Sequence, residues 1–459
     1  MNQAKTIAAI ATPAGRGGVG IVRISGGEAR DVLKTLVPRW PQDEVSHRLR
    51  LCEIRDLQGD LIDKSLVVLM EGPNSYTGED VVEFQCHGGP VILRRVLDAA
   101  LNAGARIANP GEFTQRAFLN GRLDLTQAEA VADLVNATTE SAHKLALEHL
   151  QGSLGQEVEA LVELVMEAVI LVEAAIDFSH EEHVYQIESL EIQQRVDEVS
   201  RRLVKLRDRF DRGRRRREGV RVVILGPTNA GKSTLFNALH GTERAIVTDV
   251  AGTTRDFLEE ELNLGGTAIR LVDTAGLRET SDQVESIGIA RSREMERTAD
   301  LVIWVVDQGA GLRAEDREQL QQLRDDERPV VVVVNKADQL DRIDDDDRAF
   351  LGGFRQIHRT SLTADPPVGV EELAVGIESL AAELTAGEGV LLSRARHLQG
   401  VVTALDCLER ARQGLMMQME HELIAIDLRD ALDGLGTITG RVDTDDLLAR
   451  IFSDFCVGK

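Results

Sequence analysis

Apolar residues between positions 154 and 176 recur every three or four residues, which places them on one face of a helix. That face consists of Leu154, Val158, Leu161, Val165, Val169, Val172 and Ile176. Proline, which interrupts helices, is absent between Pro110 and Pro227 and again after Pro367. The pattern therefore predicts helical segments on both sides of the central part of the chain, and these segments could pack together as one domain.

The first hundred or so residues show shorter apolar runs that are separated by glycine-rich turns. The runs predict strands over residues 7–10, 20–24, 65–70 and 81–85 and a helix over residues 91–101. A glycine-rich stretch at 15–20 lacks a Lys-Ser pair and precedes a strand, so it predicts a tight turn rather than a phosphate loop. This part of the chain is predicted to form a separate α+β domain.

A strand-like apolar run at 220–225 leads into the sequence GPTNAGKS at 226–233, and a helix start follows at 234–239. The eight residues fit the phosphate-loop pattern G-x-x-x-x-G-K-[ST], between the strand and the helix that such a loop requires. Its backbone N–H groups and the helix N-terminus would hold phosphate oxygens, Lys232 would reach the outer phosphates, and Ser233 would ligate Mg²⁺. The sequence therefore predicts a nucleotide triphosphate site.

Two further motifs identify the nucleotide. Residues 273–276 (DTAG) follow an apolar run at 268–272, as expected of a D-x-x-G element whose aspartate holds magnesium through water. Residues 335–338 (NKAD) follow the run 330–334. The Asp338 carboxylate can accept two hydrogen bonds from the guanine edge, whereas adenine offers no such pair of donors.

Other residues would support the base. Asn335 and Lys336 are expected to brace the base and the phosphate loop. Ser361, in the stretch 361–363 after a weakly apolar run, is a candidate for the last base-contacting loop, although it matches such loops poorly. Together these elements predict GTP as the ligand.

The switch region lacks the usual catalytic side chain. The residue after D-x-x-G is Leu277, which cannot orient a water molecule as the glutamine of Ras-type GTPases does. Arg255 and Arg278 are nearby, but neither is identified as an arginine finger. The stretch 250–256 is the predicted first switch, and Thr254 would supply the second magnesium hydroxyl. Transition-state charge must then be stabilised by another route, such as a metal cation or assembly with a second chain.

Composition limits the remaining possibilities. The 459 residues suggest about three domains, and 43% hydrophobic with 28% charged residues is ordinary for a soluble protein. Neither a run of eighteen apolar residues nor a signal peptide is apparent, and four scattered cysteines argue against a zinc site or a disulfide framework. These features favour a reducing cytoplasm.

Net charge bears on nucleic-acid binding. A formal charge of −24 has the wrong sign for a generic nucleic-acid binder, so any RNA contact would need a local basic patch. One cluster exists, at Arg212 and 214–217, but just before the predicted GTPase strand it is interpreted as a charged linker. The aspartate run 344–347 is interpreted as a solvated surface loop rather than a metal site.

Asn229, together with residues 251–256 (AGTTRD), resembles the potassium-activated GTPases of the TrmE/Era/EngA group. In that group a potassium ion occupies the place of an arginine finger, where it offsets the charge that builds during phosphoryl transfer. The resemblance implies the potassium ligands Asn229, Thr248, Val250 and Thr253. The loop departs from the usual G-x-P-N of the group because Pro227 and Thr228 are exchanged.

Over essentially its whole length the chain resembles the MnmE (TrmE) family. The matching stretches are 11–23, 76–80, 86–90, 110–113, 120–124, the GTPase motifs, 427–429 and the C-terminal FCVGK at 455–459. The resemblance implies a multi-domain fold with an N-terminal α+β folate-binding-like domain, an α-helical domain and an inserted α/β P-loop GTPase domain. The expected bounds are 1–121 for the N-terminal domain, which also dimerises, 122–218 and 384–459 for the two parts of the helical domain, and 219–383 for the GTPase domain.

The resemblance also implies a function. The family acts with the flavoprotein MnmG (GidA) to add an aminomethyl or carboxymethylaminomethyl group to C5 of the wobble uridine of certain tRNAs. The carbon comes from a tetrahydrofolate derivative, 5-formyl- or 5,10-methylene-, and GTP hydrolysis uses K⁺ and Mg²⁺. A cytoplasmic homodimer is expected, whose GTPase domains pair across the dimer when potassium and GTP are bound.

Site residues carried over by the resemblance fall into three groups. Folate contacts would be Arg23, Glu83, Arg122 and Lys459, although a strand-edge salt bridge is the alternative for Arg23 and Glu83. Catalytic residues would be Lys232, Glu285 as the carboxylate that orients water, and Cys456, whose role in modification is left open. GTP contacts would be Asn229, Ala230, Gly231, Lys232, Ser233, Thr234, Thr248, Asp249, Val250, Ala251, Gly252, Thr253, Thr254, Asp273, Thr274, Ala275, Gly276, Asn335, Lys336, Ala337, Asp338 and Ser361.

A second hypothesis is a regulatory GTPase of ribosome assembly that modifies nothing. Such a factor would more often carry a basic KH domain with a G-x-x-G loop, which is not found here. The N-terminal domain and the Cys456 tail favour the tRNA-modifying GTPase.

Overall fold

The computed structural model describes residues 5–42, 45–177, 182–242, 246–247, 259–273, 297–441, 448, 451–453 and 455–459. The chain divides into two compact units. The first contains residues 1–132, 149–199 and 403–459, and the second contains residues 133–148 and 200–402.

The first unit is built on a six-stranded sheet with strand order β3-β4-β5-β2-β1-β6. Its elements are β1 (Ile7–Ile10), β2 (Gly17–Ser25), α1 (Ala29–Leu36), β3 (Arg50–Arg55), β4 (Leu61–Met70), β5 (Val81–Gly88), α2 (Pro90–Asn102), β6 (Arg106–Ile107) and α3 (Glu112–Leu119). Neighbouring strands are antiparallel except for β1 and β6. The α+β prediction is therefore confirmed, and the predicted strands and helix each lie within an observed element.

Apolar and polar residues alternate along the central strand β5, and this alternation determines which face of the sheet packs against α1 and α2. Val82, Phe84 and Cys86 of β5 face α1 and α2 and are at most 1% exposed, in one apolar core. Glu83, between them, is on the opposite face with its β2 partner Arg23, because successive side chains of a strand alternate. The sheet thus presents a polar pair on the face opposite to α1 and α2.

The described residues of 125–218 and 395–441 are mostly helical. The helices are α4 (Leu125–Asn136), α5 (Glu140–Leu150), α6 (Ser153–Asp177), α7 (Glu182–Asp208), α8 (Phe210–Glu218), α13 (Ala395–Met416) and α14 (His421–Thr439). The periodic run 154–176 lies within α6, as predicted, and six of its seven apolar residues are buried. Helix α6 packs against α14, and the salt bridge between Glu173 and Arg429, at 2.6 Å, joins the two helices. No helix in the described ranges is long and apolar enough to span a bilayer.

The second unit contains a seven-stranded sheet with strand order β13-β12-β11-β7-β10-β9-β8. Its elements are β7 (Val220–Leu225), α9 (Lys232–His240), β8 (Ile246–Val247), β9 (Glu259–Leu264), β10 (Thr267–Asp273), β11 (Leu301–Asp307), α10 (Ala314–Asp325), β12 (Val330–Asn335), α11 (Asp345–Leu351), β13 (Gln356–Arg359) and α12 (Val370–Thr385). Strands β13, β12, β11, β7 and β10 are parallel to one another, and β9 pairs antiparallel with both β10 and β8.

Both faces of this sheet are covered. One apolar core includes residues of α9 and α12, and a second includes residues of α10 and α11. Strands buried on both faces have nearly continuous apolar sequences, which is why the runs at 220–225 and 330–334 could be identified. Such doubly covered parallel sheets bind ligands at the carboxyl ends of their strands.

Two interpretations of charged segments are wrong. Residues Arg214–Arg217 do not form a linker but lie in α8, where their guanidinium groups bind acidic side chains and carbonyl oxygens. The aspartate run is not a loop, because Asp344 caps α11 by accepting a hydrogen bond from the Asp347 backbone N–H at 2.7 Å. Helix N-termini favour acidic residues in this way, so the run is a helix-start signal.

Candidate functional site

The phosphate loop connects β7 to α9, as its sequence predicts. Gly231 precedes the helix with φ of 103°, a backbone conformation that favours glycine. A Cβ atom at this position would lie 2.2 Å from Nδ2 of Asn335. Glycine therefore lets the loop approach β12 closely, and it brings the phosphate loop up to the NKAD motif.

Lys232 is held against the loop itself. Its Nζ donates hydrogen bonds to the carbonyl oxygens of Gly226, at 3.0 Å, and Pro227, at 2.7 Å. The residue is only 8% exposed, whereas Ser233 and Thr234 in the first turn of α9 are exposed. The lysine is thus fixed beside the loop, and the Ser233 hydroxyl is accessible to a magnesium ion at a helix N-terminus.

Asn335 connects the two motifs. Its Nδ2 donates to the Ala230 carbonyl at 2.8 Å, and its Oδ1 accepts a hydrogen bond from Thr360 Oγ1 at 3.1 Å. With 3% exposure, the amide has both polar atoms satisfied inside the protein. Asn335 therefore braces the phosphate loop.

The carboxylate of Asp338 is oriented by the last loop. Ser361 Oγ donates to Asp338 Oδ1 at 2.6 Å, and this hydrogen bond is the main reason that the pKa of Asp338 lies below its usual value. Ser361, the weakest match in the sequence, thus directly contacts the predicted base-reading residue. A carboxylate that is oriented by this hydrogen bond can accept hydrogen bonds from the two N–H donors of a guanine edge.

The phosphate loop borders a cavity of about 530 Å³, which is within the range of small-molecule sites. Its lining comprises Thr228, Asn229, Gly231, Lys232, Ser233, Thr234, Asn335, Lys336, Leu362 and Thr363. Phosphate-loop residues and residues of the NKAD motif therefore border the same space. Ala337 follows in the same turn, where its N–H donates to the Thr360 carbonyl at 3.0 Å.

Sequence reasoning missed Asp307. This residue ends β11, and its Oδ2 lies 2.6 Å from Lys336 Nζ. Lys336 itself has φ of 60°, a left-handed conformation that is uncommon outside glycine. The signal was available, because Asp307 is an acidic residue at the end of the apolar run 301–306 on the neighbouring parallel strand.

Several predicted residues lie outside the described residues. They are Thr248, Asp249, Val250, Ala251, Gly252, Thr253, Thr254, Thr274, Ala275, Gly276 and Glu285, together with Arg255, Leu277 and Arg278. Asp273 is the last residue of β10 and pairs in register with Ile224 of β7. Its backbone is therefore at the carboxyl edge of the sheet, beside the strand that leads into the phosphate loop.

A second group of polar side chains lies in the first unit, on the sheet face opposite to α1 and α2. Arg23 Nε donates to Glu83 Oε1 at 2.8 Å, and the two side chains are 22% and 14% exposed. The guanidinium also lies over the rings of Tyr76 and Phe113, at 5.6 and 5.7 Å from their centroids. The salt bridge named as the alternative is thus present, but it joins β2 and β5, the two central strands, and does not lie at a sheet edge.

The C-terminal tail reaches this pair. Arg23 Nη1 donates to the Gly458 carbonyl at 3.4 Å, and Val457 forms a bridge with Pro110. Gly458 has φ of 99°, and a Cβ there would lie 2.5 Å from the Ile10 carbonyl oxygen, so the tail needs glycine to lie against β1. Cys456 is exposed and Lys459 is half-buried.

Arg122 is exposed after α3, and its backbone N–H donates to the Ala117 carbonyl at 2.8 Å. Within the described ranges, no hydrogen bond joins Arg122 to Arg23 or Glu83. The same ranges contain no group of His, Cys, Asp and Glu residues that could hold a metal ion. The cysteines are free thiols, and burial raises the pKa of Cys86 to about 12, so its thiolate is suppressed.

Comparisons with known proteins cover nearly the whole chain. The family described as GTP-binding protein TrmE N-terminus matches residues 6–122, and the family described as MnmE helical domain matches residues 125–456. A protein named tRNA modification GTPase MnmE from Erwinia tasmaniensis is 44% identical over 468 residues and covers 100% of both chains. One of the same name from Aquifex aeolicus is 42% identical over 462 residues and covers 99% of each.

Among solved structures, the G domain of the T. maritima FeoB iron transporter is 28% identical, covers 36% of this chain and 99% of that chain, and has a TM-score of 0.26. A score this low adds nothing to the assignment, which rests on the two family matches and the full-length relatives. The chain belongs to the MnmE family of tRNA modification GTPases.

Proposed function

We propose that the protein hydrolyses GTP to support modification of the wobble uridine of tRNA, at C5, with an aminomethyl or carboxymethylaminomethyl group. The observation that carries the GTPase part is the single cavity bordered by both the phosphate loop and the NKAD motif. The modification part rests on relatives that are named tRNA modification GTPases and match the chain from end to end.

In this proposal the second unit binds and orients the nucleotide. Lys232 stabilises the outer phosphates, Ser233 ligates Mg²⁺ with Thr254, and Asp338 accepts the two guanine N–H donors while Ser361 fixes its orientation. A magnesium ion held by these hydroxyl groups would offset the negative charge of the phosphates. Asn229 would hold a potassium ion in the same cavity, because this phosphate-loop residue is part of the cavity lining.

The first unit would bind the tetrahydrofolate derivative. The Glu83 carboxylate suits the adjacent N–H donors of a pterin ring, and Arg23 holds it in place at 2.8 Å. The docked tail supports this role, because it brings Cys456 and Lys459 into the neighbourhood of the pair. Arg122 remains in the proposal as a contact from the exposed end of α3.

The proposal includes the partners that the family resemblance implies. They are a second copy of the chain in a homodimer, the flavoprotein MnmG and tRNA, all in the cytoplasm. Two copies would bring their GTPase units together around bound GTP and potassium, and hydrolysis would then be coupled to domain movement.

Nucleoside analysis of tRNA tests the proposal. Cells that lack the gene should lose the C5-modified wobble uridine, and expression of the intact chain should restore it. Expression of Lys232→Ala should not restore it, whereas Lys205→Ala, a change at a lysine outside the cavity, should. Normal modification in cells without the gene would overturn the proposed function.

A further inference from the structure

A second cavity of the GTPase unit lies at the amino-terminal ends of its parallel strands, the edge opposite to the phosphate loop. Its volume is about 490 Å³, and six arginines contribute to its lining: Arg214, Arg215, Arg221, Arg270, Arg297 and Arg328. Three acidic residues, Asp211, Glu218 and Asp300, also line it. The cavity thus has three positive charges in excess, although the chain as a whole has a formal charge of −24.

Asp300 organises one wall. Its Oδ1 accepts hydrogen bonds from Arg214 Nη2 at 2.6 Å and Arg215 Nε at 2.8 Å. Burial alone would raise the pKa of this carboxyl, but these hydrogen bonds overcome that effect and hold its pKa below the usual value. One carboxylate thus orients two guanidinium groups, and Arg214 also lies 3.5 Å from Asp211.

Two further arginines of the lining lie side by side on the sheet. Arg221 of β7 and Arg270 of β10 are paired in register on neighbouring parallel strands. Arg221 Nη1 donates to Thr298 Oγ1 at 2.9 Å, and Arg270 forms a longer ion pair with Glu261 at 3.3 Å. Like charges directly opposite each other repel across a sheet, and the ion pair with Glu261 offsets part of this repulsion.

The composition of the cavity indicates the kind of anion. All of its basic residues are arginines, whose planar guanidinium groups match phosphate oxygens in a bidentate manner. Its lining contains no aromatic side chain on which a base could stack. Such a surface can bind a phosphodiester backbone.

We propose that this arginine-lined cavity binds the phosphodiester backbone of RNA and holds the tRNA substrate on the GTPase unit. The inference rests on the proposed function, which makes tRNA the substrate. It also provides the local basic patch that an acidic protein needs in order to bind a polyanion.

A salt titration of tRNA binding tests the inference with the full-length protein. We compare the double variant Arg270→Gln/Arg297→Gln with Arg348→Gln/Arg412→Gln, a control with the same change in formal charge at two arginines outside the cavity. Fluorescence anisotropy with a labelled tRNA transcript should show about tenfold weaker binding for the cavity variant. The slope of log K against log salt should fall by about 2, roughly one for each lost phosphate contact.

Fluorescent GDP titration checks that the cavity variant is folded, because these two arginines are not part of the nucleotide site. Equal weakening in both double variants, or unchanged tRNA binding in the cavity variant, would overturn the inference. Equilibrium dialysis with inorganic phosphate separates the two sources of phosphate. Saturable phosphate binding that the cavity variant loses while it keeps its tRNA affinity would assign the cavity to free phosphate instead.

The two proposals fail in different ways. If the wild-type protein does not bind tRNA but cells lacking the gene lose the modified uridine, the cavity inference is wrong and the proposed function stands. If the uridine remains modified in those cells, the proposed function is wrong whatever the binding experiment shows.

Discussion

At the scale of single residues, selection of guanine depends on one carboxylate and its neighbour. Asp338 accepts a hydrogen bond from Ser361 at 2.6 Å, which lowers the pKa of the aspartate and orients its carboxylate. The remaining lone pairs are available for two donors from a base. An amide in the same place would present one donor and one acceptor, so it would no longer match guanine.

We therefore expect Asp338→Asn to weaken GTP binding by about 100-fold, because two hydrogen bonds to a charged acceptor are lost. Affinity for xanthosine triphosphate should rise, since xanthine offers an acceptor where guanine has its exocyclic amine. Titration with fluorescent guanosine and xanthosine nucleotides measures both effects, and Asp325→Asn, on the exposed face of α10, is the matched control. Unchanged guanine preference in the variant would contradict the base-reading role.

At the scale of secondary structure, α8 is joined to the start of β11 by ion pairs. Arg214 and Arg215 both bind Asp300, which is buried and directly precedes that strand. Asp300 also accepts the Arg221 backbone N–H at 3.0 Å. These contacts connect the charged helix α8 to the central sheet of the second unit.

Asp300→Asn should lower the free energy of unfolding by about 2 kcal/mol at pH 7, because charged hydrogen bonds are replaced by neutral ones. The folded-state pKa of Asp300 lies below 3.8, so its contribution is present above that pH and is lost as pH falls through the folded-state value. The difference between wild type and variant should therefore be constant near neutrality and shrink below pH 3.8. Chemical unfolding followed by the fluorescence of Trp304, which is buried in β11, measures it.

The control for this prediction is Asp325→Asn, which should change the stability by less than about 0.5 kcal/mol. A difference between wild type and the Asp300 variant that persists at low pH would contradict the electrostatic explanation.

The strands and helix α8 of the second unit show where prediction from the sequence succeeds and where it fails. Strands buried on both faces, such as β7 and β12, have continuous apolar runs, and a motif follows each at a fixed place. Helix α8 has no apolar stripe, because its contacts are made by arginines that bind acidic residues distant in sequence. These acidic partners are brought to the arginines only by folding, so the arginine cluster was wrongly interpreted as a linker.

Within the candidate site, local motifs were predictable and long-range partners were not. The phosphate loop and NKAD each require particular residue types at fixed spacing, which a sequence displays directly. The Lys336 partner Asp307 and the contact of Arg23 with Gly458 join residues that only the fold brings together. The docked tail was anticipated through family resemblance and not from its apolar pattern.

At the scale of the whole molecule, the proposed mechanism has to replace a missing catalytic side chain. Leu277 stands where Ras-type GTPases have glutamine, and the proposal assigns charge stabilisation to potassium held by Asn229. Asn229 has φ of 65° and lines the nucleotide cavity, so its left-handed backbone places it at the edge of the phosphate loop. A second chain would close the site around the ion.

Exchange of sodium for potassium should therefore lower the rate of GTP hydrolysis by about tenfold or more, because one stabilising positive charge is lost from the transition state. Fluorescent GDP affinity should be nearly the same in both salts, since the ion acts mainly during phosphoryl transfer. Asn229→Ala should hydrolyse GTP slowly in either salt, whereas Asn237→Ala, an exposed asparagine on α9, should keep the potassium effect. If two copies are needed, the rate per chain in potassium should also rise with protein concentration. Equal rates in the two salts at every concentration would remove potassium from the mechanism, because hydrolysis would then proceed as fast without it.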